Sequence, residues 1–141
     1  MVALDDLCFE PPFRFSRASM KSFAEAKNAC VVVAESGDDL AELAGFCILH
    51  VERSRRKMIG YIVTLDVSAG YRRQGLATEL MQAVERLALA DGCKSLALHV
   101  YTENAAAIAF YQRLGFAYSH TVGSFYAEGL DALVFLKPLA Q

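Results

Sequence analysis

Two arginines, a glycine and a threonine occur within residues 72–78 (RRQGLAT), between a β-branched run and an amphipathic run. The first turn of a helix favours anions, because its backbone N–H groups are unpaired and the helix dipole points there. A glycine lets the backbone approach a ligand closely, and Arg72 and Arg73 add positive charge. The segment therefore predicts a pyrophosphate cradle, with an ordinary strand-to-helix turn as the alternative. It has neither the GK[ST] nor the GxGxxG pattern of other phosphate loops.

His99 is the side chain best suited to accept a proton at neutral pH, because the ordinary pKa of histidine is about 6.5. It lies in residues 95–101 (SLALHVY), where alternation places it on the opposite strand face from the leucines and the valine. We predict that His99 is a general base, with a buried structural histidine as the alternative.

The periodicity of apolar residues predicts the elements that must position these side chains. Strand, helix and strand follow one another in the middle of the chain, which predicts a right-handed crossover between parallel strands. Short connections elsewhere predict antiparallel pairs, so the fold class is α/β with a mixed sheet. The predicted strands are 29–35, 43–52, 59–67, 95–101, 116–121 and 132–137, and the predicted helices are 3–10, 14–28 with Ser19 as N-cap, 75–90 and 104–114.

Length and composition limit the classes of protein that the chain can represent. Its 141 residues predict a single domain over 1–141. No apolar run approaches the roughly 18 residues of a membrane span, the first residues lack a signal-peptide pattern, and a net charge of -2 argues against nucleic-acid binding. The four cysteines have neither CxxC nor metal spacing, so we expect reduced thiols, no metal and a cytoplasmic location.

Two motifs together resemble the signatures of the GNAT N-acetyltransferases. Residues 72–77 (RRQGLA) match the pattern [RQ]xxGx[GA], and residues 104–116 (NAAAIAFYQRLGF) resemble NxxAxxFYxxxGF. One predicted helix and one predicted strand separate the two motifs, as in the family. The resemblance covers residues 43–138.

This resemblance implies acetyl-CoA as cosubstrate and a central splayed sheet, flanked by helices, that admits pantetheine. The backbone of Leu65, Asp66 and Val67 would bind the pantetheine and the acetyl group, and Asn104 would contact the cofactor arm. Tyr111 would be the general acid that protonates the leaving thiolate, although its helical spacing also fits a core aromatic residue. The pyrophosphate would lie on Arg72, Arg73, Gln74, Gly75, Leu76, Ala77 and Thr78.

Further segments resemble the branch of the family that acetylates protein N-termini. Residues 98–100 (LHV) and 61–65 (YIVTL) match segments in which a histidine and a tyrosine act together through a water. The resemblance therefore implies that Tyr61 and His99 form a catalytic pair. Bacterial relatives that acetylate ribosomal proteins have a glutamate where this chain has His99.

Two aromatic residues resemble the acceptor site of that branch. Tyr126 matches a tyrosine that covers the peptide N-terminus, with a hairpin-tip aromatic as the alternative. Phe13 ends the segment FEPPF, which lies where those enzymes place their substrate-binding loop, with a surface turn as the alternative. Both residues are therefore predicted to bind substrate.

The sequence thus predicts direct transfer of an acetyl group from acetyl-CoA to a primary amine, foremost a peptide or protein N-terminal α-amine. A small-molecule amine acceptor and a non-catalytic acyl-CoA sensor are the alternatives. Transfer through a cysteine is disfavoured, because only Cys93 lies near the motifs. The sequence predicts no strand before the first helix, where members of the family usually have one, so we expect either a sheet edge that a homodimer covers or a shortened chain. The chain is accordingly predicted to be a monomer or a homodimer.

Overall fold

Helices and strands alternate along the described part of the chain, which is residues 1–9, 13, 15–35, 43–71 and 75–139 of a computed structural model. No helix in these ranges is both long enough and apolar enough to cross a membrane. The helices are α1 (Val2–Cys8), α2 (Arg17–Glu25), α3 (Leu76–Ala90) and α4 (Ala105–Arg113), with a 3₁₀ turn at Ala69–Tyr71. The strands are β1 (Ala29–Glu35), β2 (Leu43–Ser54), β3 (Lys57–Val67), β4 (Cys93–Tyr101), β5 (Ala117–Ala127) and β6 (Leu130–Pro138).

All of these strands join in one sheet, in the order β1-β2-β3-β4-β6-β5. β3 and β4 are parallel, whereas the other neighbouring pairs are antiparallel. A parallel pair needs a crossover connection, which α3 supplies. The predicted mixed α/β sheet is confirmed. The first described element is α1, and β1 forms one edge of the sheet; the homodimer remains a prediction.

Two apolar clusters cover the two faces of the sheet. Alternation in β2 sends Cys47 and Leu49 to one face and Phe46 and Ile48 to the other. The first pair packs with the buried side chains of α3, and the second pair packs with Met20 of α2. Helices therefore lie on both faces, and the sheet that carries the predicted site is held between them.

β3 and β4 pair along only part of their length. Their parallel register ends with Ile62 opposite Leu98. Beyond that point β3 continues to Val67 and β4 continues to Tyr101 without pairing to each other. This confirms the splayed pair of parallel strands that the family resemblance implied.

A bulge in β3 lies beside the point of separation. Consecutive residues of β2, Ile48 and Leu49, pair with Thr64 and Ile62, which leaves Val63 as an extra residue in β3. An extra residue bends a strand and increases its local twist. The bulge therefore gives a physical reason for β3 to turn away from β4.

Two local predictions need correction. Ser16, not Ser19, is the N-cap of α2, because Ser16 has the extended backbone of a cap and its Oγ accepts the Ser19 N–H at 3.1 Å. The connection left between the predicted strands 43–52 and 59–67 shortens to a turn at Arg55 and Arg56, whose φ values are 48° and 74°. Pairing between β2 and β3 extends both strands to that turn, and residue composition alone does not reveal such pairing.

Candidate active site

A cavity of about 1390 Å³ opens where β3 and β4 separate. It extends from the N-terminus of α3 to the hairpin of β5 and β6. Small-molecule pockets usually have volumes of about 300–1,000 Å³, so this cavity is larger than a single small ligand needs. Most of the residues predicted from the sequence line it: Phe13, Tyr61, Leu65, Val67, Gly75, Ala77, Thr78, His99, Asn104, Tyr111 and Tyr126.

The N-terminus of α3 forms one end of the cavity. Gly75 is its N-cap and has a φ of 81°, a left-handed conformation that glycine adopts without steric cost. Ala77 and Thr78 follow in the first turn, where backbone N–H groups have no partner within the helix, so this end suits an anion. Leu76 was predicted to line the site but packs towards Gly45 on β2 instead. The structure does not describe Arg72, Arg73 and Gln74.

α4 brings Asn104 and Tyr111 to the cavity. The Asn104 Oδ1 accepts the N–H of Ala107 at 3.2 Å and so caps the helix. The ring of Tyr111 meets those of Phe110 and Phe116 edge-on, with centroids 5.2 and 5.7 Å apart. Burial is the largest cause of a raised pKa for Tyr111, so its phenol keeps its proton at neutral pH.

Tyr61 on β3 and His99 on β4 meet at the point where the two strands separate. The Tyr61 hydroxyl lies 2.7 Å from Nδ1 of His99. Burial, followed by the charge of Glu52, raises the pKa of Tyr61 to about 12. Burial, followed by His120, lowers the pKa of His99. Tyr61 is therefore protonated and His99 neutral at pH 7, which are the states that a proton-accepting pair needs; the catalytic role of the pair stays a prediction.

Four rings, here called the aromatic wall (Phe13, Tyr101, Phe125 and Tyr126), line the cavity at the end away from α3. The Phe13 centroid lies 4.9 Å from those of both Tyr101 and Tyr126. Phe125 meets Tyr126 edge-on at 5.0 Å and stacks on His99 at 4.0 Å. The sequence predicted Phe13 and Tyr126 but missed Tyr101 and Phe125. Tyr101 shares a strand face with His99, so the alternation of β4 was the signal for it.

Phe125 reaches the cavity because β5 is irregular. Phe125 and Tyr126 are consecutive, and regular alternation would place them on opposite faces. The pairing of β5 with β6 shifts over residues 122–127, and Ser124 has a φ of 52°. The Asp131 Oδ1 accepts the Ser124 N–H at 2.8 Å and holds this conformation. Such irregularities redirect side chains, and the sequence predicted a loop here rather than a strand.

Comparison with known proteins identifies the family. The chain matches the family described as Acetyltransferase (GNAT) family over residues 2–116. It belongs to the GNAT family.

Sequence relatives of this GNAT chain include N-alpha-acetyltransferases. It is 35% identical to N-alpha-acetyltransferase MAK3 of Arabidopsis thaliana over 98 residues, which are 67% of this chain and 52% of that protein. It is 36% identical to N-alpha-acetyltransferase 50 of Danio rerio over 105 residues, which are 72% of this chain and 61% of that protein. The chain therefore spans little more than half the length of these relatives.

The fold resembles that of a solved structure described as the NatC complex bound to Gag peptide and CoA. The TM-score is 0.82 at 24% sequence identity, and the match covers 99% of this chain and 88% of that chain. At this identity the likeness concerns the fold alone.

Asp66 turns its side chain away from the cavity of this GNAT chain, although its backbone was predicted to bind the cofactor. The side chains of Asp66 and Asp5 are fully buried and contact each other between β3 and α1. The Thr64 hydroxyl donates to Asp66 Oδ1 at 2.6 Å, and the Phe15 N–H donates to Asp5 Oδ2 at 2.6 Å. Within the described residues, Asp5 Oδ1 and Asp66 Oδ2 accept no hydrogen bond from an N–H or hydroxyl group, which leaves the two carboxyl groups to share a proton with each other.

This carboxyl pair ties α1 to β3 in a way that depends on pH. Burial, followed by the contact with Asp5, raises the pKa of Asp66 to about 8, while Thr64 and the α-amino group of Met1 act in the opposite direction. An unfolded chain loses this proton near the ordinary pKa of about 4. The stability gained from holding the proton is therefore fully present below about pH 4 and is lost as the pH rises through about 8.

Cys8 also lies at the cavity, which the sequence did not reveal. Its Sγ donates to the Val67 carbonyl oxygen at 3.3 Å, because α1 packs on β3. The prediction against transfer through a cysteine rested on Cys93, which is buried; Cys8 places a second thiol at the cavity, so this route needs a direct test. In the described part of the chain, no group of three or more His, Cys, Asp or Glu side chains is arranged to hold a metal ion.

Asp66→Asn is expected to flatten the dependence of stability on pH. Its amide has no proton to lose, and its N–H can donate to the Asp5 carboxylate. Urea unfolding should show the free energy of unfolding of the parent chain falling between about pH 5 and about pH 8.5, with the variant about 1–3 kcal/mol more stable at the higher pH. Asp91→Asn, at the exposed end of α3, is the control and should keep the parent slope. A full slope in Asp66→Asn would contradict the shared proton.

Proposed function

We propose that the chain is an N-acetyltransferase that moves an acetyl group directly from acetyl-CoA to an N-terminal α-amine of a peptide or protein. The observation that carries this proposal is the single cavity that joins the N-terminus of α3 to the Tyr61–His99 pair and the aromatic wall. A donor entering at one end and an acceptor at the other would meet between the separated strands, and such proximity favours direct transfer. The similarity to proteins named N-alpha-acetyltransferases supports this choice of acceptor.

The α3 end of the cavity would hold the diphosphate of acetyl-CoA. Residues 75–78 offer backbone N–H groups in the first turn of the helix, and Arg72 and Arg73 are predicted to add charge. The pantetheine arm would lie along β3 at Leu65 and Val67, where β4 no longer pairs. A structural neighbour is described as bound to CoA, which supports acetyl-CoA as the cosubstrate.

His99 would accept the proton that the attacking amine loses, directly or through a water. When its Nδ1–H donates to the Tyr61 oxygen, the lone pair of Nε2 is available for that proton. The proposed role therefore requires the tautomer in which the Tyr61 oxygen accepts the Nδ1–H. Because burial lowers the pKa of His99, the imidazole would remain neutral to a lower pH than an exposed histidine.

Tyr111 would donate a proton to the CoA sulfur as it leaves. Burial keeps the phenol protonated, and the residue lines the cavity beyond the first turn of α4. Positioned acids of this kind accelerate reactions by about 10²–10⁴-fold. The base and the acid therefore lie on different elements, His99 on β4 and Tyr111 on α4.

The aromatic wall favours a peptide over a small amine as acceptor. Its rings form a continuous apolar surface with hydroxyl groups at Tyr101 and Tyr126, which matches an N-terminal side chain followed by polar backbone. The structural neighbour is described as bound to a peptide. A small-molecule acceptor and an acyl-CoA sensor remain the competing hypotheses. A cytoplasmic location, and the absence of nucleic-acid and membrane partners, stay predictions.

Thiol release from acetyl-CoA should require a peptide with an unblocked N-terminus. The panel comprises three groups of acceptors. The first is peptides that differ in the first two residues, the second is the same peptides with a formylated N-terminus and an internal lysine, and the third is small amines. Turnover of unblocked peptides alone is the expected result. Turnover of small amines alone would replace the peptide proposal, and CoA binding without any turnover would favour the sensor.

Tyr111→Phe should lower kcat by about 10²-fold while leaving the Kd for CoA within about twofold, because only a proton donor is removed. Steady-state kinetics and calorimetry measure the two quantities. Tyr118→Phe, which removes the hydroxyl of an exposed tyrosine on β5, is the matched control. Parent-like turnover by Tyr111→Phe would reject its role as an acid.

Cys8→Ala should retain turnover, because direct transfer needs no acyl-enzyme. Intact mass measured after mixing the parent chain with acetyl-CoA alone should show no added acetyl group. Cys30→Ala, on β1, controls for the loss of a thiol. An acetylated Cys8 together with an inactive Cys8→Ala variant would establish transfer through the cysteine instead.

A further inference from the structure

We propose that Phe125 is a positioning residue for the proton-accepting histidine: it holds the plane of the His99 ring while Tyr61 holds its Nδ1. This inference rests on the proposed function, because it assigns a task to the hairpin of β5 and β6 within the same site. The task is to keep Nε2 directed at the acceptor.

The geometry gives the His99 ring two different restraints. The ring planes of Phe125 and His99 are parallel within 4°, with centroids 4.0 Å apart. The Tyr61 hydroxyl lies 2.7 Å from Nδ1. A hydrogen bond at one atom fixes a point on the ring, whereas a parallel stack fixes its plane. Because Nδ1 and Nε2 flank Cε1 in one rigid planar ring, both restraints together determine where Nε2 points.

Core packing does not account for the place of Phe125. Its side chain is 42% exposed, and it belongs to neither of the apolar clusters that cover the sheet. It lies against His99 because of the irregular β5 backbone at Ser124, which Asp131 holds. An exposed apolar ring held by such a conformation is better explained by what it contacts than by burial.

Phe125 also shields one face of the imidazole from water. Burial is the first cause of the lowered pKa of His99, and His120 is the second. Removal of the ring would hydrate the imidazole and raise its pKa towards the ordinary value of about 6.5. Among the described residues, the titratable groups near this imidazole are Tyr61 on β3, Tyr101 on β4, and His120 and Tyr126 on β5, with Glu52 of β2 acting on Tyr61.

Three substitutions of Phe125 separate orientation from shielding. Phe125→Ala should lower kcat by about tenfold or more, with a smaller change in KM, and should raise the pKa of His99. Phe125→Leu keeps bulk without a planar ring, so kcat should fall while the pKa of His99 stays near that of the parent chain. Phe125→Tyr keeps the stacked ring, so both kcat and the pKa of His99 should stay near those of the parent chain. Tyr118→Ala removes another exposed ring from β5 and is the matched control.

NMR of the imidazole nitrogens follows the pKa and the tautomer directly, since the chain has only three histidines and His99→Gln assigns the signal. We expect the parent chain and Phe125→Tyr to show a single tautomer, and Phe125→Ala and Phe125→Leu to show a mixture. Parent-like kcat and tautomer in Phe125→Leu would overturn the orienting role. These NMR measurements need no acceptor amine. If the protein acetylated nothing, the proposed function would be refuted, but the measurements would still test whether Phe125 orients His99. Circular dichroism confirms that each variant is folded.

Discussion

The separation of β3 from β4 is the constraint on which the rest of the site depends. Up to Ile62 the strands are held together by close packing, since a Cβ placed on Gly60 would lie 2.7 Å from Leu96 and 2.9 Å from Leu49. Beyond it, the extra residue Val63 bends β3 away. The gap leaves one side of β3 without a strand partner and creates a cavity long enough for a donor and an acceptor.

Burial shifts the pKa values of the phenols and of the imidazole in opposite directions, and both shifts favour the proposed proton transfers. A low-dielectric environment disfavours the charged form of every group, so it raises the pKa of Tyr61 and Tyr111 and lowers the pKa of His99. The two phenols stay protonated and the imidazole stays neutral at the same pH. Burial is the largest cause of each shift, so a neutral base and a protonated acid can coexist in one cavity.

An irregular backbone and buried polar contacts hold the elements around the cavity in place. Phe125 and Tyr126 both reach the cavity because Asp131 holds Ser124 in an unusual conformation. On the opposite side, the Asp5–Asp66 carboxyl pair ties α1 to β3, and the Phe15 N–H donates to the same Asp5 side chain. The left-handed Ser124 lies beside the cavity, as strain at a functional site does, whereas the carboxyl pair is buried between α1 and β3, away from the cavity lining.

The sequence by itself determined the α/β order, the helix N-terminus at Gly75, the cap at Asn104 and the strand face of His99, because these follow from residue type and local periodicity. The family resemblance also paired Tyr61 with His99. Only the tertiary structure decided that the Tyr61 hydroxyl reaches Nδ1 directly, that Phe125 stacks on the same ring, that Cys8 reaches Val67 and that Leu76 and Asp66 face away from the cavity. Periodicity predicts which face of an element a side chain occupies. It does not predict which elements meet, nor where a bulge shifts the register, because both depend on contacts between residues distant in the chain.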